Sequence, residues 1–225
     1  MNALDHPVWS ALAHCTHLAE GDERARRYRR DVNLFASARD DEPASLQSLQ
    51  ALVLPGESVY VLQVPAIRLP EGLVAVRSAQ GVQMQATRPI EPESGEGVLV
   101  ELGEADVPEM LALAQLTEPG PFLARTFTMG RFVGVRIGDR LAAMAGERMR
   151  WPGFTELSGV CTHPEFRGRG LARRLSSVVA QAIQQRQEQP FLHAWANNRA
   201  AIALYESLGF AWRTDVQVAV VQRAG

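Results

Sequence analysis

The residues of this chain whose types and spacing could do chemistry gather between Thr155 and Ala182. From Thr155 to Ala172 they read Thr-Glu-Leu-Ser-Gly-Val-Cys-Thr-His-Pro-Glu-Phe-Arg-Gly-Arg-Gly-Leu-Ala. The pattern predicts a buried strand over 156–162, a turn opened by His163-Pro164, a glycine-rich elbow, then a helix. Leu171, Leu175, Val178, Val179, Ala182 and Ile183 recur at the spacing of one buried helix face. Arg167, Arg169, Arg173 and Arg174 crowd the entrance of that helix. The macrodipole is already positive there, so each extra cation costs about 0.3–1 kcal/mol unless something offsets it. Gly168 and Gly170 leave main-chain N–H groups uncovered. Uncovered donors, a positive helix end and guanidinium groups together suit phosphate oxygens. The plainer alternative is a helix cap among surface arginines.

Two familiar phosphate loops do not fit. The dinucleotide fingerprint wants a third small residue six positions in and an acidic residue ending the next strand. Here the next strand-like run, Phe191-Leu-His-Ala-Trp-Ala196, ends in Asn197-Asn198. A Walker loop needs Gly-Lys-Ser/Thr, and the sequence contains no lysine. The spacing Arg167-x-x-Gly170-x-Ala172 instead resembles the Gln/Arg-x-x-Gly-x-Gly/Ala turn of the GNAT superfamily of N-acetyltransferases. A second stretch, Asn198-Arg-Ala-Ala-Ile-Ala-Leu-Tyr-Glu-Ser-Leu-Gly-Phe210, is similar to that superfamily's Asn-x-x-Ala-x-x-Leu-Tyr-x-x-x-Gly-Phe ending. The resemblance covers about residues 96–225.

The resemblance implies an α/β (α+β) GNAT fold, a mixed and splayed central sheet flanked by helices. It implies acetyl-CoA as acyl donor, with the pyrophosphate on Arg167, Gly168, Arg169, Gly170, Leu171 and Ala172. Pantetheine would lie along the main chain of Val160, Cys161 and Thr162, with Asn198 nearby as a helix N-cap. Cys161 itself reads as a small buried residue, since a nucleophilic cysteine wants a cationic partner. His163 reads as structural.

The implied reaction is direct attack of a primary amine on a thioester. A lysine-like amine near pKa 10.4 adds roughly 4.6 kcal/mol for deprotonation at pH 7, an α-amine near pKa 8 only about 1.4. A carboxylate base is worth about 10²–10⁴ in rate. Glu156, at the start of the expected splayed strand, is the first candidate by its resemblance to the family's glutamate base, and Glu147 the second. Tyr205 stands at the landmark tyrosine that many members use as general acid toward the leaving thiolate. Its plainer role is packing beside Ile202 and Leu208. Longer acyl-CoA donors and a non-catalytic acyl-CoA sensor are the alternatives.

The remaining elements must position these groups. The 225 residues carry a formal charge of −2, which points neither to nucleic acid nor to an anionic membrane. No apolar run spans a bilayer, and the N-terminus lacks a signal-peptide pattern, so a cytoplasmic protein is expected. Monomer and homodimer are both open. His14, Cys15 and His17 lack a distant partner, so no metal is expected. Cys15 and Cys161 give no disulfide framework.

Helices are expected at 7–18 and 45–52, and strand-like runs at 59–64, 73–77 and 82–87. The polar stretch Arg88–Gly97 reads as a linker. It divides an N-terminal α/β accessory domain, residues 1–93, from a GNAT domain, residues 94–225. The layout is similar to two-domain acyltransferases such as glycine N-acyltransferases, which makes the first half a candidate degenerate repeat. Its expected use is to wall the acceptor cleft. After the linker come a strand at 98–102, a helix from Ala105, a short helix over 122–129, and a hairpin over 131–137 and 140–150. Strands follow around 210–213 and 217–222.

Overall fold

Residues 2–224 are described by a computed structural model of the chain. Near the N-terminus, Pro7 occupies the first turn of helix α1 (Pro7–His14), where its missing N–H costs nothing. Val8, Ala11 and Leu12 form the buried face of that helix. Strands β1 (Ala19–Gly21), β2 (Ala25–Tyr28) and β3 (Ala36–Ala38) make a small antiparallel sheet. Helix α2 (Pro43–Leu52) follows, then β4 (Val59–Gln63) and β5 (Leu73–Ala86).

The two runs expected at 73–77 and 82–87 are one strand. Gly81 does not break it, because it is paired on both sides, to Trp195 and to Val216. A Cβ at Gly81 would lie 3.0 Å from the Ala194 carbonyl oxygen, so only glycine lets the backbones approach this closely.

The second half adds β6 (Val98–Leu102), α3 (Val107–Thr117), β7 (Phe132–Ile137), β8 (Arg140–Trp151) and β9 (Phe154–Thr162). It ends in α4 (Leu171–Gln185), β10 (Gln189–Trp195), α5 (Arg199–Leu208) and β11 (Phe210–Arg223). The short helix expected over 122–129 shrinks to a 3₁₀ turn, Thr126–Met129. Thr126 Oγ1 accepts from Leu123 N and donates to Val32 O, giving the backbone a local alternative to an α-helix.

Eight strands form one mixed sheet in the order β4-β11-β5-β10-β9-β8-β7-β6. Every neighbour pair is antiparallel except β9 with β10. Strands from both sides of the Arg88–Gly97 stretch share this sheet, and β5 lies between β10 and β11. The 1–93 and 94–225 segments therefore differ in sequence texture, but the hydrogen-bonded ladder runs through both.

Each face of the sheet carries its own core. On one, α4 and α5 cover Val82, Met84, Leu157 and Leu192 with Leu171, Leu175, Val179, Ile183 and Leu208. On the other, α1 and the chain around Tyr28, Val32 and Phe35 pack on Met149, Trp151, Phe191, Val216 and Val218. Successive β10 residues alternate between the two, Phe191 to the second and Leu192 to the first, as the two-residue period of a strand requires.

Candidate active site

The site begins where two parallel strands part. β9 and β10 pair only from Phe154↔Gln189 to Glu156↔Phe191. Beyond that point β10 stays with β5 as far as Trp195↔Gly81, and β9 stays with β8 as far as Thr162↔Ala143. A register shift on β9 marks the split: Ser158 faces Gly146 and Cys161 faces Met144, which leaves Gly159 and Val160 without partners on β8. Gly159 has φ +63°, and a Cβ there would press to 3.0 Å from Phe132 Cε1. Glycine thus makes the bulge that aims this strand into the gap.

A cleft of about 200 Å3 passes through the gap. Its walls are Leu157, Ser158, Gly159 and Val160 on one strand and His193, Ala194 and Trp195 on the other. At the face covered by α4 and α5 it is lined by Asn198, Ala201 and Tyr205. At the opposite face it is lined by Phe35, Tyr60 and Leu62 from the first half of the chain, with Arg148 from β8.

The glycine elbow lies at the mouth of α4. Gly168 and Gly170 have φ +81° and +75°, and a Cβ on either would meet open space. Gly170 caps α4 with no side-chain hydrogen bond, and no acidic residue stands in the first turn. Three of the four entrance arginines are held by the 93–97 segment. Arg173 Nε donates to Glu93 (2.7 Å), Arg169 to Glu96 (3.0 Å), and Arg174 Nη1 to the carbonyls of Glu96 and Gly97. Arg167 is exposed and has no side-chain partner among the described residues. The polar segment read as a linker is therefore also the clamp that orders this end of α4.

Tyr205 stands on α5 with its ring edge-on to Phe210. Its phenol lines the cleft and has no hydrogen-bond partner among the described residues. Burial pushes its pKa up, so it stays protonated through the neutral range. Asn198 Oδ1 accepts from Ala201 N, so this side chain caps α5 while lining the cleft. Cys161 is buried and its thiol is pushed up to about 11 by that burial, which leaves no thiolate for nucleophilic attack near neutral pH. His163 caps the 164–166 turn by accepting from Glu165 N (3.3 Å).

Neither expected base is free. Glu156 lies behind the cleft wall, fully buried beneath Arg148 and His193, with both oxygens occupied. Arg148 grips it through Nε (2.8 Å) and Nη2 (2.6 Å), and His193 Nδ1 lies 2.7 Å from Oε1. Burial alone would raise this carboxyl; the Arg148 guanidinium and His193 outweigh it and hold the pKa at about 2. A carboxylate so stabilised is a poor acceptor for an ammonium proton. Glu147 is also buried and is tied to Arg186 at 2.9 Å, outside the cleft. Both are held as ion-pair partners in the sheet, an arrangement that argues against either serving as the expected glutamate base.

Sequence reasoning passed over Arg148 and His193. The His193 tautomer follows from its neighbours. Gln83 Oε1 accepts from Arg213 and its Nε2 donates to Leu4 O, so Nε2 also donates to His193 Nε2 (3.0 Å). That leaves His193 Nδ1–H to donate to Glu156. Around His14, Cys15 and His17, and elsewhere among the described residues, no group of three or more His, Cys, Asp or Glu side chains could hold a metal ion. Among the described residues, no helix is long and apolar enough to cross a membrane.

Known proteins resemble this chain in sequence and fold. The FR47-like protein family matches residues 132–219, which hold the splayed strands, the elbow and the Tyr205 helix. The [ribosomal protein bS18]-alanine N-acetyltransferase of Salmonella typhimurium is 33% identical over 115 residues, 48% of this chain and 77% of the relative. A GNAT-family protein of Novosphingobium aromaticivorans superposes over 100% of both chains with TM-score 0.92 and 41% identity. A GCN5-related N-acetyltransferase from Kribbella flavida shares the fold at TM-score 0.68 and 16% identity, over 100% of this chain and 97% of the other. With the cleft, the elbow and these relatives in agreement, the chain belongs to the GNAT family of acyltransferases.

Proposed function

We propose that this protein transfers an acetyl group from acetyl-CoA to a primary amine by direct attack within the cleft. The carrying observation is the continuity of that cleft. It joins the α4–α5 face, where the uncapped elbow lies, to an opposite face walled by Phe35, Tyr60 and Leu62. The donor's pyrophosphate is assigned to the N–H groups of Gly168 to Ala172 with Arg167 and Arg169 beside them, and its pantetheine to the β9 edge at Val160, Cys161 and Thr162, near Asn198. The phenol of Tyr205 is the proton donor to the departing thiolate, since an O–H near or above pKa 10 can protonate a thiolate near 8.5.

With Glu156 committed to Arg148, the amine proton has no buried carboxylate to accept it. An acceptor that is already partly neutral is then favoured. An α-amine meets that condition at about 1.4 kcal/mol, whereas a lysine-type amine needs about 4.6. The decisive experiment measures CoA thiol release from acetyl-CoA across amines, amino acids and peptides. No release with any of them would overturn the reading.

Two variants test the parts. Gly170→Val should weaken acetyl-CoA binding at least tenfold by calorimetry, because a side chain would fill the approach to the helix mouth. Gly56→Val is the matched control, with φ +79° and equally open space but no place in the cleft. Equal affinity for the Gly170 variant and the control would remove the donor from this elbow. Tyr205→Phe keeps the ring against Phe210 and should lower kcat by about 10²-fold, with little change in acetyl-CoA affinity. An unchanged kcat when chemistry limits the rate would return Tyr205 to packing.

A further inference from the structure

The acceptor face of the cleft has an unusual donor. Arg148 is nine-tenths buried, with its guanidinium 4.9 Å from the Phe35 ring centroid. Two of its three nitrogens, Nε and Nη2, are used by Glu156. The third, Nη1, has no acceptor among the described residues and lies 3.8 Å from where a Cβ on Gly120 would sit. That places it against the Glu118–Pro121 loop, which lines the same cleft. That edge keeps some exposure and Arg148 lines the cleft, so an oxygen of a bound molecule can reach it.

Its surroundings say what kind of oxygen fits. Tyr60 and Ser158 line the cleft with hydroxyls that have no partner among the described residues. Glu156, the carboxylate paired with Arg148 behind the wall, is already saturated. A carboxylate does line the cleft at Glu118, exposed on the rim in the left-handed region at φ +49°. Donors therefore collect on the cleft wall, and a free negative charge stands at its edge.

We propose that Arg148 Nη1 anchors a carboxylate of the acceptor, so that the acceptor is an amino-carboxylic acid, an amine carrying a free carboxylate. This rests on the transfer reaction proposed above. Arg148 thereby serves two partners at once, Glu156 in the protein and the carboxylate of the acceptor. The planar fork of arginine presents separate edges to the two partners. A lysine ammonium is a shorter point charge that cannot hold the bidentate pair with Glu156 and reach the second carboxylate from another edge.

The test compares three acceptors with one side chain: an L-amino acid, its primary amide and the matching amine lacking the carboxyl carbon. The amino acid should exceed both others in kcat/KM by about 10–10²-fold, the range expected for a hydrogen bond to a charged group. Arg148→Lys should bring that ratio close to one. If Arg148→Lys does not fold, Arg148→Met combined with Glu156→Gln leaves no orphan charge, keeps an acceptor for His193, and should abolish the preference in the same way. Equal kcat/KM for acid and amide overturns the carboxylate anchor, as does a preference that survives in the double variant. Absence of turnover with all three overturns the transfer reading itself, and this inference with it.

Discussion

A chain cut to residues 94–225 should fail to fold as a soluble monomer. The cut removes β5 from between β10 and β11, where it pairs from Phe191↔Gln85 to Trp195↔Gly81 on one side and from Phe210↔Ala86 to Arg223↔Leu73 on the other. Both neighbours become bare edges, which favour pairing with other chains. Val82 and Met84, each fully buried, leave the core with it, and each is worth about 1.5–3 kcal/mol of burial. On the other face, loss of α1, Tyr28 and Phe35 uncovers Met149, Trp151, Phe191, Val216 and Val218. Only roughly 5–15 kcal/mol holds an ordinary domain folded, so uncovering both faces of the sheet leaves little margin. Circular dichroism and size-exclusion chromatography of the 94–225 chain should report unfolded or aggregated protein. Adding back 1–93 as a separate chain should recover the soluble form. A monomeric, cooperatively melting 94–225 fragment that binds acetyl-CoA would refute this and restore an independent second domain.

The sequence makes the proposed donor side legible because its determinants are local. Arg167 to Ala172 and Asn198 to Phe210 are contiguous runs in which turn, cap and helix face follow from spacing alone. Gly209 closes α5 at φ +105°, as its position after the last apolar residue predicts. The role of 73–86 is not legible in the same way. Its strand character is plain, but nothing in its own residues says which edges it joins, and the polar run at 88–97 suits a linker as well as a clamp on α4. The proposed acceptor side is less legible for a related reason. Glu156 has the position expected of a base, and what ties up its carboxylate are Arg148 and His193 on two other strands. One signal could have been used. Arg148 and Glu156 flank the Pro152-Gly153 turn between β8 and β9, and a hairpin there brings opposite charges within reach across the ladder.

Glu156→Gln should destabilise the protein by about 3–5 kcal/mol, because it leaves the Arg148 guanidinium buried without its counter-charge. In a chain of this size that lowers Tm by roughly 6–20 °C. Glutamine can still accept from His193 Nδ1, so the loss is carried mainly by Arg148. The pH dependence has a definite sign. The folded pKa of Glu156 is about 2, below an unfolded value near 4.3, so its contribution is fully present above about pH 4.3. It is lost as pH falls from there toward about 2. The gap in Tm between wild type and Glu156→Gln should therefore be constant from pH 5 upward and close at lower pH. Arg148→Met added to Glu156→Gln should restore much of the lost stability, since it removes the orphaned charge. A free catalytic base predicts the reverse: Glu156→Gln would keep its Tm and lose kcat. A Tm within about 2 °C of wild type at pH 7 would therefore break the ion-pair account and return Glu156 to the chemistry, because loss of a true buried pair is expected to exceed that shift severalfold.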